Sequence, residues 1–478
     1  MTEFTPTDEQ LAIVDAAKST NDNLLVSALA GAAKTSTLVL IAEAQKSKPM
    51  LCLAFNKKIA TEMEERLPGN CTSKTLNGLG HSAWGQFLGK RLVLNTKKTY
   101  DLVLGEIQAL RGEDKEFMYS VMSETMRMVD SAKTAGYVPT GRYELAKGLM
   151  DDDELFNWFD DEPDELQFKI IKSVYLASMD KAMKGEIDFN DQILMPTVMP
   201  AQFPQFPVVL VDESQDLSAL NHKMLRKIAK GRLIAVGDEC QAIYGFRGAH
   251  QDSMRLLQET FSMRKLILSI SFRCPQSIVK HAQWRAPHMR WPEWAKIGEI
   301  KTVTSWDHTV IPDHAAVICR NNAPLFRMAM RLLKAGRYPQ LIGNDIGKAI
   351  VKQMKKFGVP QIPQDQVFIA INSWKEEKLK KSRSPGSVHD QAACMMVFAE
   401  QGRDLGEAIA YAEHIFASNG PIQLMTGHKS KGLEFEDVYI LDRKLINIQE
   451  GQEKNLLYVM QTRSKNTLTY IDTEGYVE

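Results

Sequence analysis

The feature that most constrains this chain is the turn Ala28-Leu-Ala-Gly-Ala-Ala-Lys-Thr35, set between the apolar run at residues 24–27 and a helical run at residues 37–44. A strand that breaks into small residues and continues as a helix aims the helix's first free N–H groups at one point, and a lysine there adds a compact charge. Such a turn can cradle phosphate. Lys34 then reaches the β- and γ-phosphates of a nucleoside triphosphate, and the Thr35 hydroxyl is a candidate Mg2+ ligand. Ala28, Gly31, Ala32, Ala33 and Ser36 line the remainder of the nucleotide site. The turn departs from GxxxxGK[ST] at Ala28 and at Ala33. If position 33 needs a positive φ, alanine costs ~1–2 kcal/mol there. On this segment alone, a plain strand-to-helix turn of small residues remains an alternative.

A second segment narrows the choice. Val208-Val-Leu-Val-Asp212-Glu213-Ser-Gln-Asp216 reads as a buried strand that ends in adjacent acids. At the carboxyl edge of a parallel sheet, Asp212 can hold Mg2+ through water while Glu213 polarises the attacking water. Simple capping of a following helix is the competing reading of the same acids.

Short apolar runs alternate with helical patterns through two separated stretches, which predicts α/β lobes with parallel sheets. Strands are expected at residues 24–29, 50–55, 208–211 and 233–236 in the first lobe, and at 316–319, 438–441 and 468–471 in the second. Residues 82–205 change to long helical patterns with an acidic cluster (151–154, 160–162, 164–165) and read as a helical insertion. Residues 347–419 read as a smaller one, with a flexible loop at 380–387 after a charged run. The first lobe is thus residues 1–81 and 206–268, the second 269–346 and 420–478. The 478 residues carry 59 Lys+Arg against 59 Asp+Glu, so the formal charge is zero. A chromatin-like binder is disfavoured, and any nucleic-acid contact has to be local. The six cysteines form no CxxC pair, which disfavours zinc and redox sites and suggests buried thiols. No leader pattern and no stretch of ~18–20 apolar residues is seen, so a soluble, cytoplasmic protein without membrane contact is expected.

Further motifs follow in a fixed order. Gly237-Asp-Glu-Cys-Gln-Ala-Ile-Tyr-Gly-Phe-Arg-Gly-Ala249, with the acids at 212–216, resembles motifs III and II of superfamily 1 helicases of the UvrD/Rep type. Thr5-Pro-Thr-Asp-Glu-Gln10 resembles the family's Q motif, Leu53-Ala-Phe-Asn-Lys-Lys-Ile-Ala60 its motif Ia, and Lys74-Thr-Leu-Asn77 the segment after it. Ser271-Phe-Arg-Cys-Pro275, Met425-Thr-Gly-His-Lys-Ser-Lys-Gly-Leu-Glu-Phe435 and Tyr458-Val-Met-Gln-Thr-Arg-Ser464 resemble motifs IV, V and VI.

The resemblance implies two RecA-like P-loop NTPase lobes, each with a mainly helical insertion, and ATP with Mg2+ in the cleft between them. It implies that Gln10 reads the adenine edge, Gln241 senses the γ-phosphate, and Phe272 stacks on the adenine. Arg273 and Arg463 act as arginine fingers, and Glu434 contacts the ribose. Phe55, Tyr244 and Phe246 offer base-stacking faces, worth ~1–3 kcal/mol per base whatever its identity. Asn56, Thr75, Asn77, Arg247, Arg320, Thr426 and His428 are further DNA candidates, with a structural role for His428 almost as good an account. The implied activity is an ATP-dependent helicase or translocase, moving 3′-to-5′ on single-stranded DNA and at single-strand/duplex junctions. A monomer is the default, and unidentified replication or repair proteins are possible partners. The small second insertion departs from larger relatives, and Asp188-Phe-Asn-Asp191 reads as a structural counterpart of a family DFxD segment. An ATPase-impaired DNA-binding relative, an RNA-directed motor and a P-loop enzyme that does not act on nucleic acid remain as alternatives.

Overall fold

The computed structural model describes residues 5–139, 145–159, 161–245, 252–343, 345–382 and 385–477. The chain divides into two compact units, Met1–Ala28 with Ala33–Leu268, and Leu29–Ala32 with Ser269–Glu478.

The first unit is built on six parallel strands, β1 (Leu24–Ala28), β2 (Met50–Ala54), β3 (Cys71–Thr75), β6 (Val208–Val211), β7 (Arg232–Gly237) and β8 (Arg264–Leu268). Their order is β3-β2-β6-β7-β1-β8. The inner strands β2, β6 and β7 are buried along their whole length, as a parallel sheet covered on both faces requires. The edge strand β3 mixes exposed polar and basic residues into its length, and β8 opens on two exposed basic residues and keeps only a three-residue apolar run, Leu266 to Leu268. That is why no sequence pattern announced them. Helices α1 (Asp8–Ser19), α2 (Lys34–Ala44), α3 (Lys57–Arg66), α10 (Ala219–Ile228) and α11 (Ser253–Phe261) complete the layers. Arg232 ties the sheet to α1, donating to the carbonyls of Ala16, Ala17 and Asp22 at the helix's carboxyl end.

Between β3 and β6 lie α4 (Leu76–Leu88), β4 (Val93–Leu94), α5 (Lys98–Ala109), α6 (Gly112–Ala135), α7 (Asp152–Trp158), α8 (Glu165–Met183), β5 (Glu186–Ile187) and α9 (Asp191–Val198). They enclose a core of their own around Trp84, Met118, Val129, Tyr175 and Met179. The acidic cluster has a local use. Asp151 with Glu154 and Asp164 with Gln167 form capping boxes at the starts of α7 and α8, where negative charge also suits the helix dipole. Asp188 and Asp191, expected to be structural, cap one another's N–H groups and pair with the buried Lys133 and Lys98.

The second unit has strands β9 (Glu299–Val303), β10 (Ala316–Cys319), β11 (Pro339–Leu341), β12 (Ile422–Thr426), β13 (Phe435–Leu441) and β14 (Ser464–Ile471), all parallel, in the order β11-β12-β10-β13-β14-β9. Helices α12 (Gln276–Ala282), α13 (Asn322–Lys334), α18 (Gly427–Ser430) and α19 (Glu453–Gln461) flank it. The second insertion contains α14 (Asp345–Met354), α15 (Gln364–Lys381), α16 (Pro385–Ala399) and α17 (Leu405–Ala417). It does not form a separate body: Val367, Ile371, Met395, Phe398 and Ile415 share one core with Val317, Phe326, Leu424 and Leu441 of the sheet layer. The loop expected at residues 380–387 is also largely absent. The Lys- and Glu-rich run is helix-favouring and α15 continues through it to Lys381, with α16 starting at Pro385. Residues 383 and 384 lie outside the described ones. The six cysteines are all buried free thiols. Among the described residues, no helix is long and apolar enough to cross a membrane.

Candidate nucleotide and nucleic-acid site

Parallel strands send their carboxyl ends to one edge, so the segments that follow β1, β2, β6 and β7 emerge together. After β1 the chain turns through Gly31 at φ +74° and Ala33 at φ +55°, ψ +42°, and then enters α2. Ala33 therefore sits in the left-handed region where a glycine is usual, and the loop attains that shape with an alanine. Lys34 opens the helix, and its Nζ lies 2.9 Å from Glu213 Oε2. Burial works against the lysine's charge, but Glu213, Asp212 and Asp238 outweigh it and hold the pKa above the ordinary value. Ser36 turns aside to accept from Arg66 Nη2 at 3.1 Å, and Thr35 is half-buried in the first turn.

The acids are shaped by their own backbone. Glu213 lies at φ +50°, a left-handed position, and its N–H donates to Asp212 Oδ1 at 2.8 Å. Asp212 is pushed up to about 7, by burial first and the Glu213 charge second, against the pull of Lys34. Asp238 is raised by burial, accepts from Gln241 Nε2 at 2.6 Å, and receives the Cys240 N–H at 2.9 Å. Two buried carboxyl groups, Asp212 and Asp238, and the half-buried Glu213 thus face one lysine, an array of hard oxygen donors. Mg2+ commonly needs only one or two such protein ligands beside water and substrate phosphate, so the donor chemistry of Asp212 and the Thr35 hydroxyl could hold that ion.

Gln10 is buried in a capping box. Its Oε1 accepts the Thr7 N–H at 3.0 Å, and its Nε2 donates to Thr37 Oγ1 of α2 at 3.0 Å. On the same sheet edge, Phe55 follows β2 and Tyr244 follows the Asp238–Gln241 segment. Their rings are parallel within 5° with centroids 6.2 Å apart, and Phe55 is 47% exposed. Asn56 and Thr75 cap α3 and α4, and Asn77 donates to the Phe189 carbonyl. Phe246 and Arg247 lie outside the described residues.

In the second unit, Arg273 Nε pairs with Glu434 at 2.8 Å, and its Nη1 lies 3.4 Å from the Thr462 carbonyl. Arg463 is 1% exposed and donates to the carbonyls of Val459 and Leu433. Phe272 meets the ring of Trp294, itself 72% exposed, at 6.2 Å. Arg320, after β10, is held by both carboxylate oxygens of Glu453 at 2.9 Å. Thr426 precedes α18, and His428 is half-buried within it. Gly427 is needed there, because a Cβ would lie 2.8 Å from Leu456 and Met460 of α19.

Sequence reasoning missed Asp238, Gln215, Trp294 and Glu453 as parts of these clusters. Asp238 carried a usable signal, since it follows a buried strand as Asp212 does. Gln215 lay inside the segment of paired acids, two residues from Glu213, but nothing there shows that its amide also reaches Asp238; Trp294 and Glu453 carried no signal, because their partners are distant in sequence.

Two families match the chain: the UvrD/REP helicase N-terminal domain over residues 7–262 and the UvrD-like helicase C-terminal domain over residues 421–470. Among individual proteins, the chain is similar to F-box DNA helicase protein 1 of Schizosaccharomyces pombe, 24% identical over 98% of this chain and 57% of that protein. It is likewise similar to ATP-dependent DNA helicase PcrA of Bacillus subtilis, 24% identical over 69% of this chain and 50% of that protein. DNA helicase II of Escherichia coli is 25% identical over 58% and 39% respectively. The chain spans about half the length of the curated relatives it matches. With the N-terminal family matching more than half of its residues, the phosphate-loop lysine and paired acids included, the chain belongs to the UvrD/REP helicase family.

Proposed function

We propose that the chain is an ATP-dependent motor that travels 3′-to-5′ along single-stranded DNA and opens duplex at junctions. One observation carries this reading. A single sheet edge in the first unit bears both a charged lysine among three carboxylates and a parallel pair of aromatic rings. The first array suits hydrolysis of a nucleoside triphosphate, and the second suits stacking of bases without regard to sequence. The DNA helicase names of the similar proteins point the same way.

The chemistry follows from the side chains. Lys34, charged at neutral pH, exchanges the carboxylates for the triphosphate's β- and γ-oxygens. Asp212 and the Thr35 hydroxyl would hold Mg2+, which would supply charge neutralisation on the phosphate oxygens. Glu213 takes a proton from the attacking water as its oxygen bonds to the γ-phosphorus and the bond to the β–γ bridging oxygen breaks. ADP and phosphate result. Gln241, tethered to Asp238, sits three residues before Tyr244, so a shift on the phosphate side is carried directly to the stacking ring. Phe272, Arg273, Glu434 and Arg463 are assigned to the nucleotide on motif likeness. Arg320, Thr426 and His428 are assigned on the same basis to the sugar-phosphate backbone, and Arg320 must leave or share Glu453 to reach it.

The test is steady-state ATP hydrolysis with and without a long single-stranded oligonucleotide, DNA and RNA in parallel, with Lys34→Ala as control. Hydrolysis stimulated many-fold by DNA and absent in the control is the expected result. Strand displacement on 3′- and 5′-tailed duplexes then reads direction. Hydrolysis indifferent to nucleic acid overturns the motor reading, and stimulation by RNA alone reassigns the track.

A further inference from the structure

Lys34 and Gln215 both hold Glu213. One carboxylate oxygen, Oε2, meets both Lys34 Nζ at 2.9 Å and Gln215 Nε2 at 2.5 Å. Gln215 is 2% exposed, and the other end of its carboxamide accepts the Asp238 N–H at 3.0 Å. One amide thus bridges the segment after β6 to the segment after β7. The fit is close: a Cβ on Gly237 would lie 2.6 Å from Gln215 Oε1, so the glycine makes room for the amide. The catalytic use of Glu213 rests on the function proposed above, and there the two holders are not equivalent. Lys34 has to turn toward phosphate when the triphosphate binds, whereas Gln215, whose Nε2 has only a longer second contact to Asp216 Oδ2 at 3.4 Å, is not a phosphate ligand.

We propose that Gln215 is a positioning residue for hydrolysis, keeping the Glu213 carboxylate aimed after Lys34 has changed partners. A carboxylate whose paired lysine turns away regains rotamer freedom, and a base must stay within hydrogen-bond reach of the water it serves. A neutral amide suits this task better than a second cation, because it orients the carboxylate while lowering its basicity less than a full positive charge. Anchoring the amide's oxygen on the Asp238 N–H fixes which way its nitrogen points. The left-handed backbone at Glu213 supplies the rest of the aim, turning the side chain toward Lys34 and Gln215 together.

The experiment uses the full chain with ATP, Mg2+ and single-stranded DNA, comparing wild type, Gln215→Leu and Gln215→Glu, each alone and combined with Glu213→Gln. Single-turnover hydrolysis, KM for ATP and DNA affinity are read for each. Loss of base positioning lowers kcat on the order of 10²-fold, with KM and DNA affinity within about threefold of wild type. Gln215→Glu, with nearly the same shape but no donor, loses at least as much. In the Glu213→Gln background neither change lowers the residual rate further, since the group being positioned is gone. The inference is overturned if kcat stays within threefold, if KM rises and DNA affinity falls in step with the loss of kcat, or if the losses add in the double variants. A wild-type chain without DNA-stimulated hydrolysis instead overturns the functional reading beneath it.

Discussion

Removing Lys133 from the helical insertion exposes how far burial decides the value of an ion pair. Lys133 on α6 is fully buried; its ammonium pairs with Asp188 and Asp191 and donates to Ser178 Oγ at 2.7 Å. Lys98 on α5, equally buried, lies 2.5 Å from Asp191. Burial works against the charge of Lys133, yet the two aspartates prevail and its pKa is raised. The same pairing holds Asp188 below the usual carboxylate range. Two cations face the two anions they pair with, and Asp130, its pKa raised chiefly by burial, lies within reach of the same charges. Lys133→Met leaves two anions against Lys98 alone, an uncompensated buried charge whose cost is about 3–5 kcal/mol. Lys169→Met breaks a pair of similar length on α8, 2.8 Å from Glu165, where both side chains are exposed and no measurable loss follows. Native-state hydrogen exchange is the assay, because it reads α5, α6 and α8 separately from the second unit. At 1.36 kcal/mol per decade, protection in α6 should fall by two to nearly four orders of magnitude, with β10 in the second unit far less affected. Adding Asp188→Asn to Lys133→Met removes the anion that lost its cation and should recover part of the loss. A fall under tenfold, or a double variant weaker than the single, refutes the charge argument and leaves only packing.

Four further outcomes are expected. Glu213→Gln should cut hydrolysis about 10²–10⁴-fold while nucleotide binding survives, whereas Lys34→Ala loses both in an equilibrium binding assay. Phe55→Ala and Tyr244→Ala should each weaken single-stranded DNA binding roughly 5- to 150-fold, the equivalent of ~1–3 kcal/mol, and equally for homopolymer and mixed sequence; a sequence-dependent loss contradicts stacking. Ala33→Gly should shift the melting temperature by no more than a degree or two, because relief of about 1 kcal/mol of left-handed strain is offset by the ~0.4–1 kcal/mol entropy that glycine adds to the unfolded chain. Ala33→Val, β-branched at a positive φ, should destabilise the loop and raise KM for ATP. Burial, then repulsion from Lys223 and Lys230, lowers the Lys227 pKa to about 8. The folded state therefore releases this proton near pH 8 while the unfolded chain keeps it to about 10.4. Across that window the stability of wild type relative to Lys227→Met should rise with pH, read by urea titration at each pH; a flat or falling difference contradicts the shift.

Which parts of this molecule were legible follows from what a sequence pattern can encode. All inner strands but one were visible because a parallel strand covered on both faces needs unbroken apolar residues, as in Val208–Val211 and Ala316–Cys319; the exception is β12, Ile422–Thr426, whose apolar run is broken by Gln423. Cys71–Thr75, Arg264–Leu268 and Glu299–Val303 were not, because an edge strand with one neighbour can carry threonine, lysine and glutamate on its open side. The site was legible to the extent that strand ends converge: Lys34, Asp212 and Gln241 come together because β1, β6 and β7 are neighbours in one sheet. Nothing local to Gln215 reveals that its amide reaches Asp238, and nothing local to Arg320 reveals a glutamate 133 residues away. The second insertion shows the same limit at larger scale. Helical periodicity in residues 347–419 says that helices form, but Val367 and Phe398 had equally apolar options in a private core or in the sheet's, and only tertiary packing chose the latter. Ala33 shows the limit in the other direction. A motif that asks for glycine records the backbone angle the loop needs, and an L-residue can still meet that angle at modest cost when α2 and its neighbours fix the turn. The departure from the motif is therefore evidence about strain in the loop rather than evidence against a bound phosphate.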